Sequence, residues 1–215
     1  MIYLCISSLP DRFSAERAAL SLKSSFCGKQ NTEYIDRIAS RVPSAAEEGL
    51  YALEILAKML KECFPDESFE KIVLRRHESG KPYLEGSSLK FSLSHSCGKV
   101  ACAISDNGEV GVDIEAGEIA PARADGIAAR FFSKDEVLRL SGDTEAFRRE
   151  WTRKEAAAKM LNLPLSEYLK ACKSGNCSNC HAAYYFEFTE HGIPVTVCTG
   201  NPQNTVKRVT VNTNS

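Results

Sequence analysis

Twice along this chain a long helical stretch gives way to a strand, a turn and a second strand, and that repetition confines the fold to α+β architectures. The first long stretch, residues 45–63, carries Leu50, Leu53, Leu56 and Leu60 at the helical period. The second, residues 145–161, contains neither Gly nor Pro and is rich in alanine. After the first, the alternation of Leu89, Phe91 and Leu93 predicts a strand over 89–94. Strands over 100–105 and 110–115 then flank Asp106-Asn107-Gly108, a hairpin signal because Asn-Gly tolerates positive φ. After the second, strands over 182–189 and 195–199 are joined around His191-Gly192. The hairpins at 100–115 and 182–199 are candidate equivalents in a duplicated fold, with a seam near residue 107. Strands are also predicted over 2–7, 69–75 and 205–211, and helices over 14–25, 133–140 and 166–172. Residues 117–126 and 172–180 read as loops.

With 215 residues the chain can bury a real core in one ordinary domain or two small ones. Its formal net charge of −1 gives no reason to invoke nucleic acid or an anionic membrane. No apolar run approaches the roughly 18 residues that span a bilayer. The first nine residues lack a basic region and a cleavage site, so a cytoplasmic protein is expected. Nine cysteines, an odd number scattered through a mid-sized chain, fit reduced thiols better than a disulfide framework.

Four constellations can carry chemistry. In Gly111-Val112-Asp113-Ile114-Glu115 the strand period puts Asp113 and Glu115 on one face, a pair suited to a hard divalent ion or to a plain solvated surface. On a helix, Trp151, Glu155 and Lys159 lie along one side, which places an acid and a base one turn apart or describes an ordinary surface ion pair. Ser94-His95-Ser96 at a strand end can hold phosphate, and so can the lysine of Gly80-Lys81-Pro82, fixed in extended backbone by Pro82. Both also read as plain structure. Cys172, Cys177, Cys180 and His181 include one C-x-x-C with an adjacent histidine, half of a zinc site by the usual count. No nucleophile elbow, P-loop, dinucleotide-binding glycine pattern, HExxH or EF-hand loop is present.

Taken in order, Gly80-Lys81-Pro82, Phe91-Ser92-Leu93-Ser94-His95-Ser96, Gly111-Val112-Asp113-Ile114-Glu115, Phe131-Phe132-Ser133 and Trp151-Thr152-Arg153-Lys154-Glu155-Ala156 resemble the 4′-phosphopantetheinyl transferases, in their long, Sfp-type form. The resemblance covers roughly residues 80–160. It implies two similar α+β subdomains in a pseudo-twofold arrangement, residues 1–107 and 108–215, with coenzyme A at the seam of a monomer. The implied reaction moves the phosphopantetheine arm onto a serine of an apo acyl or peptidyl carrier protein and releases adenosine 3′,5′-bisphosphate. Asp113, Glu115 and Glu155 would hold Mg²⁺, and Asp113, Glu155 and Lys159 would be catalytic, with Glu155 accepting the serine proton. Lys159, Lys81, Pro82, Ser94 and His95 would hold coenzyme A, with Arg37 near the adenosine end. One departure concerns that end: Glu47-Glu48-Gly49 stands where many members carry a basic residue. Two other readings remain open here: a Mg²⁺-dependent phosphodiesterase or nuclease on the same carboxylates, and a zinc-bearing interaction module built on the Cys172–His181 segment.

Overall fold

Two β-sheets lie against each other between two groups of helices in the computed structural model, which describes residues 1–68, 71–175 and 183–212. The chain first lays down β1 (Ile2–Ser8), α1 (Ala15–Ser25), α2 (Lys29–Ala39), α3 (Pro43–Cys63), β2 (Val73–Arg76), β3 (Pro82–Glu85), β4 (Lys90–Ser96) and β5 (Lys99–Ser105). It continues with β6 (Val110–Ile114), α4 (Pro121–Phe131), α5 (Lys134–Leu140), α6 (Thr144–Met160), α7 (Leu165–Lys173), β7 (Tyr184–Glu190), β8 (Ile193–Thr199) and β9 (Val206–Arg208). The mixed α+β class expected from the sequence is what the chain adopts. One sheet has the order β4-β5-β1-β9, the other β6-β8-β7, and β2 pairs with β3 alone. In each large sheet the opening strand, β1 or β6, runs antiparallel to the second strand of a hairpin. The end of the chain returns to the sheet that its start builds, because β9 pairs in parallel with β1.

The alternation of side chains along a strand explains the layers. Cys5, Cys102 and Ile104 face α1, α2 and α3, while Ile2, Leu4, Ala101 and Ala103 face the other sheet. There they meet Val110, Val112 and Ile114 of β6 and Val195 and Val197 of β8. The intervening residues of β6, Gly111 and Asp113, are thereby turned toward α6.

Two expectations are corrected, the 100–115 hairpin and the 117–126 loop. Strands β5 and β6 do not form a hairpin: β5 pairs with β1 and β4, whereas β6 pairs with β8. Asp106-Asn107-Gly108 supplies the turn, with Gly108 at φ 90°, but it carries the chain from one sheet to the other. The tight hairpins are β4–β5 and β7–β8. Their turn pairs, Cys97-Gly98 (φ 47° and 74°) and His191-Gly192 (φ 50° and 78°), have the positive φ values that twisted two-residue loops require. The polar sequence before Tyr34 is the start of α2, which buries Tyr34, Ile35 and Ile38 and ties itself to β2 through Asn31, whose side chain bonds Ile72 O and Leu74 N, both at 2.8 Å. Most of the loop expected over 117–126 is helix α4, which opens on Pro121 and packs through Ala124 and Ala128, residues too small to mark a period in the sequence.

Candidate active site

The edge of β6 facing β4 has no strand to pair with, and three serines satisfy it instead. Ser92, Ser94 and Ser96 project from one side of β4, and their hydroxyls accept the Val112, Ile114 and Ala116 amides at 3.0, 3.4 and 3.1 Å. Two of these hydroxyls also donate. Ser94 Oγ donates to Asp113 Oδ1 at 2.7 Å, and Ser96 Oγ donates to Glu115 Oε1 at 3.0 Å. The first sheet therefore fixes both carboxylates of the Asp113–Glu115 pair. Asp113 is buried, with 3% of its surface exposed.

Helix α6 reaches this pair because Gly111 lets it in. A Cβ on Gly111 would lie 1.9 Å from the Ala156 carbonyl oxygen and 2.6 Å from the Met160 nitrogen. Ala156, Ala157 and Ala158 are buried, and Thr152 bonds Thr196 of β8 at 2.9 Å. The helix's rotation is set by a second group of contacts. Trp151 stacks with Phe147 and Phe132 at centroid distances of 5.9 and 6.4 Å. Lys154, also buried, lies over the Phe132 ring and pairs with Glu136 at 2.6 Å and Glu150 at 3.6 Å. Glu136 is at the same time the acid of the capping box that opens α5, accepting from Ser133 at 2.8 Å. The Phe131-Phe132-Ser133 motif thus anchors α6.

Glu136→Ala removes the capping box and half the partners of a buried ammonium, so it is expected to cost about 3 kcal/mol by chemical denaturation. Burial pushes the Glu136 carboxyl up, but Lys154 and Ser133 more than offset it and hold it below the usual range. Its contribution is therefore present above the ordinary glutamate pKa and fades as pH falls through the lowered one. The gap between wild type and Glu136→Ala should narrow in acid.

From α6, Lys159 Nζ donates to Asp113 Oδ1 at 2.7 Å and to the Val112 carbonyl at 3.2 Å, and lies 3.7 Å from Glu155 Oε2. Burial works against the Lys159 ammonium, yet Asp113 and Glu155 outweigh it and raise its pKa. Glu155 is pushed up to about 7, first by burial and then by the charge of Asp113; Lys159 pulls the other way, and Glu115 adds to the rise. A carboxyl that titrates near neutrality is the kind of group that can take a proton from a substrate hydroxyl.

A cleft of about 230 Å³ joins Glu155 and Lys159 to Gly80, Lys81, Pro82 and Leu93. Lys81 is 8% exposed and commits two of its three N–H groups, to Glu109 at 3.0 Å and to the Val110 carbonyl at 2.9 Å. Burial, partly offset by Glu109, lowers its pKa. Ser94 faces Asp113. His95, on the opposite pleat, faces Glu48 of α3: Nδ1 lies 2.8 Å from Glu48 Oε2, and Glu48 Oε1 accepts the Gly98 amide at 2.6 Å. Arg37 is exposed on α2 and joins none of these hydrogen bonds. Cys172 is half-buried on α7, and Cys177, Cys180 and His181 lie outside the described residues. Sequence reasoning missed the roles of Gly111, Ser92, Ser96 and Glu109. The Ser-x-Ser-x-Ser alternation opposite Val-x-Ile was the available signal for the serines.

Asp113, Glu115 and Glu155 offer the hard oxygen donors that Mg²⁺ takes, and after burial the charge of Asp113 is what raises Glu155 most. As the side chains stand, no three carboxylate, histidine or cysteine groups among the described residues converge as a ligand set. The cation at Asp113 is the Lys159 ammonium. The donor chemistry fits Mg²⁺, and the ion would compete with Lys159 for Asp113.

Comparison with known proteins bears on the same stretch. Residues 109–203 match the 4′-phosphopantetheinyl transferase superfamily. The chain is also similar to the 4′-phosphopantetheinyl transferase AcpT of Salmonella typhi and of Escherichia coli (strain K12), each 42% identical over 89 residues. That alignment covers 38% of this chain and 45% of the relative, so the chain spans about half the length of the curated relatives it matches. The stretch that matches the 4′-phosphopantetheinyl transferase superfamily, residues 109–203, is the one that carries Asp113, Glu115, Glu155 and Lys159.

Proposed function

We propose that the chain transfers the 4′-phosphopantetheine arm of coenzyme A to a serine of an apo acyl or peptidyl carrier protein, with Mg²⁺, and releases adenosine 3′,5′-bisphosphate. The observation that carries this reading is that Lys159 joins Asp113 to Glu155, and that Glu155 and Lys159 line one cleft with Gly80-Lys81-Pro82. The reading extends to the long form of the family, with two repeats meeting near residue 107 and acting as a cytoplasmic monomer. The shared strand order of the two sheets supports the repeat.

The serine oxygen attacks the phosphorus that bears the pantetheine arm, the bond from that phosphorus to the bridging oxygen breaks, and the serine proton passes to Glu155. Asp113, Glu115 and Glu155 would hold Mg²⁺, which would supply neutralisation of the charge on the diphosphate oxygens. Lys159 exchanges its hold on Asp113 for the phosphate oxygens and stabilises the departing charge. The remaining N–H of Lys81 contacts phosphate within the cleft, and Pro82 keeps that lysine's backbone extended. His95, steadied by Glu48, and Arg37 bind further out on the nucleotide. Most of the acceleration on this route comes from positioning, since phosphoryl transfer asks little covalent chemistry of the protein.

Intact-mass measurement tests the reading. Incubated with coenzyme A and Mg²⁺, at least one member of a panel of fatty-acid, polyketide and peptide-synthetase carriers gains one phosphopantetheine arm. Chelation by EDTA abolishes the gain, and excess Mg²⁺ restores it. An unmodified panel would overturn the proposal.

A further inference from the structure

The serines of β4 repeat one hydrogen-bond pattern with one omission. Ser92, Ser94 and Ser96 each accept a backbone amide of the segment 112–116, at 3.0, 3.4 and 3.1 Å. Ser94 and Ser96 in addition hold one oxygen each of Asp113 and Glu115, at 2.7 and 3.0 Å. Ser92 stands opposite Gly111, which has no side chain to receive it. The two strands thus present serines and carboxylates at the same two-residue spacing, hydroxyl against carboxylate, twice.

We infer that Ser94 and Ser96 are positioning residues for the metal ligands, an inference that rests on the Mg²⁺ reading above. Each hydroxyl occupies one carboxylate oxygen and fixes the plane of the group. An ion would then be met by carboxylates whose orientation is already set. Glu115 gains a further constraint from the Gly117 amide, which donates to the same Oε1 at 3.3 Å. A ligand carboxylate held this way loses less freedom when an ion binds, and removal of such outer hydrogen bonds commonly costs metal affinity about 10–100-fold. The strand that supplies the ligands belongs to one sheet, and the hydroxyls that aim them belong to the other. Metal affinity therefore depends on how closely β4 and β6 are held together. Ser94 acts on the metal site through Asp113.

The hydrogen-bond pattern contains its own control. Mg²⁺ affinity is measured on the purified full chain, without coenzyme A, by competition against Mn²⁺ followed by electron paramagnetic resonance. Wild type is compared with Ser92→Ala, Ser94→Ala, Ser96→Ala and Ser96→Thr. Ser94→Ala and Ser96→Ala are expected to bind Mg²⁺ at least about tenfold more weakly. Ser92→Ala, which loses only an amide acceptor, keeps its affinity within about twofold of wild type, although it is less stable to urea. Ser96→Thr, which retains the hydroxyl, recovers the wild-type affinity. Should Ser94→Ala fail to fold, the Ser96 pair carries the test alone. Unchanged affinity in Ser96→Ala, or the same loss in Ser92→Ala as in the others, overturns the inference while leaving the Mg²⁺ reading intact. Absence of metal binding by the wild type overturns both.

Discussion

Gly111→Ala is expected to cost at least about 3 kcal/mol of folding stability and about a hundredfold in transfer rate. The added methyl would stand 1.9 Å from the Ala156 carbonyl oxygen and 2.6 Å from the Met160 nitrogen, both backbone atoms of α6. No rotamer change relieves such a contact, so α6 or β6 has to move by more than an ångström. Neither can do so freely. Val112 and Ile114 hold β6 in the core between the sheets, and the serines of β4 hold its edge. Trp151 and Lys154 hold α6 through a second group of contacts. The displacement falls where Glu155 and Lys159 meet Asp113, so stability and activity are lost together. Gly126 supplies the contrast. It lies within α4 with no atom within 4 Å of the position its Cβ would take, and Gly126→Ala should stabilise by about 0.5–1 kcal/mol. Urea denaturation of both variants checks the pair. A Gly111→Ala protein with the wild-type midpoint would show that the close approach of helix to strand is not obligatory.

Gly111 also illustrates where sequence reasoning stops. The long helices, the helix opening at Ser133 and the carboxylate pair on one face of a strand were legible, because each depends on a period or a short-range signal. The partner of β6 was not. Asn107-Gly108 specifies a turn but not which strand the chain pairs with afterward, and β6 joins β8, far along the chain, through residues whose alternation would suit either partner. Helix α4 escaped for a different reason: alanine covers its buried side, and Gly126 interrupts it. At the site, sequence spacing brought Glu155 and Lys159 together and put Asp113 beside Glu115. It did not foresee that Lys81 spends its charge on Glu109, or that His95 turns toward Glu48, because those pairings cross between elements. Nor did it foresee that the Ser94 hydroxyl is bonded to Asp113.

Glu155→Gln is expected to abolish transfer, by at least about a hundredfold, and to make the metal-free protein more stable above pH 7. The second effect follows from crowding. Burial, then the charge of Asp113, raise the Glu155 carboxyl from about 4.5 to about 7. Between those values the folded protein keeps a proton that the unfolded chain has released. The unfolded state binds fewer protons there, so stability falls as pH rises from the lower value to the upper, and then levels. Glutamine resembles the protonated acid in shape and charge and carries no such penalty. The melting temperature of Glu155→Gln should match the wild type near pH 5. At pH 8 it should exceed the wild type by roughly 8 °C, the equivalent of about 3 kcal/mol in a chain of this size. Mg²⁺ should reverse the order by stabilising the wild type and leaving the variant nearly unchanged, since an ion that binds only the folded state raises its melting temperature. Thermal melts across pH, with EDTA and with Mg²⁺, measure all of this in one series. A variant that melts below the wild type at pH 8 in EDTA would mean that burial and Asp113 do not raise the Glu155 carboxyl. The same crowding that makes Glu155 costly to the empty fold is what a cation relieves, so the residue that weakens the protein alone is the one on which the proposed chemistry depends.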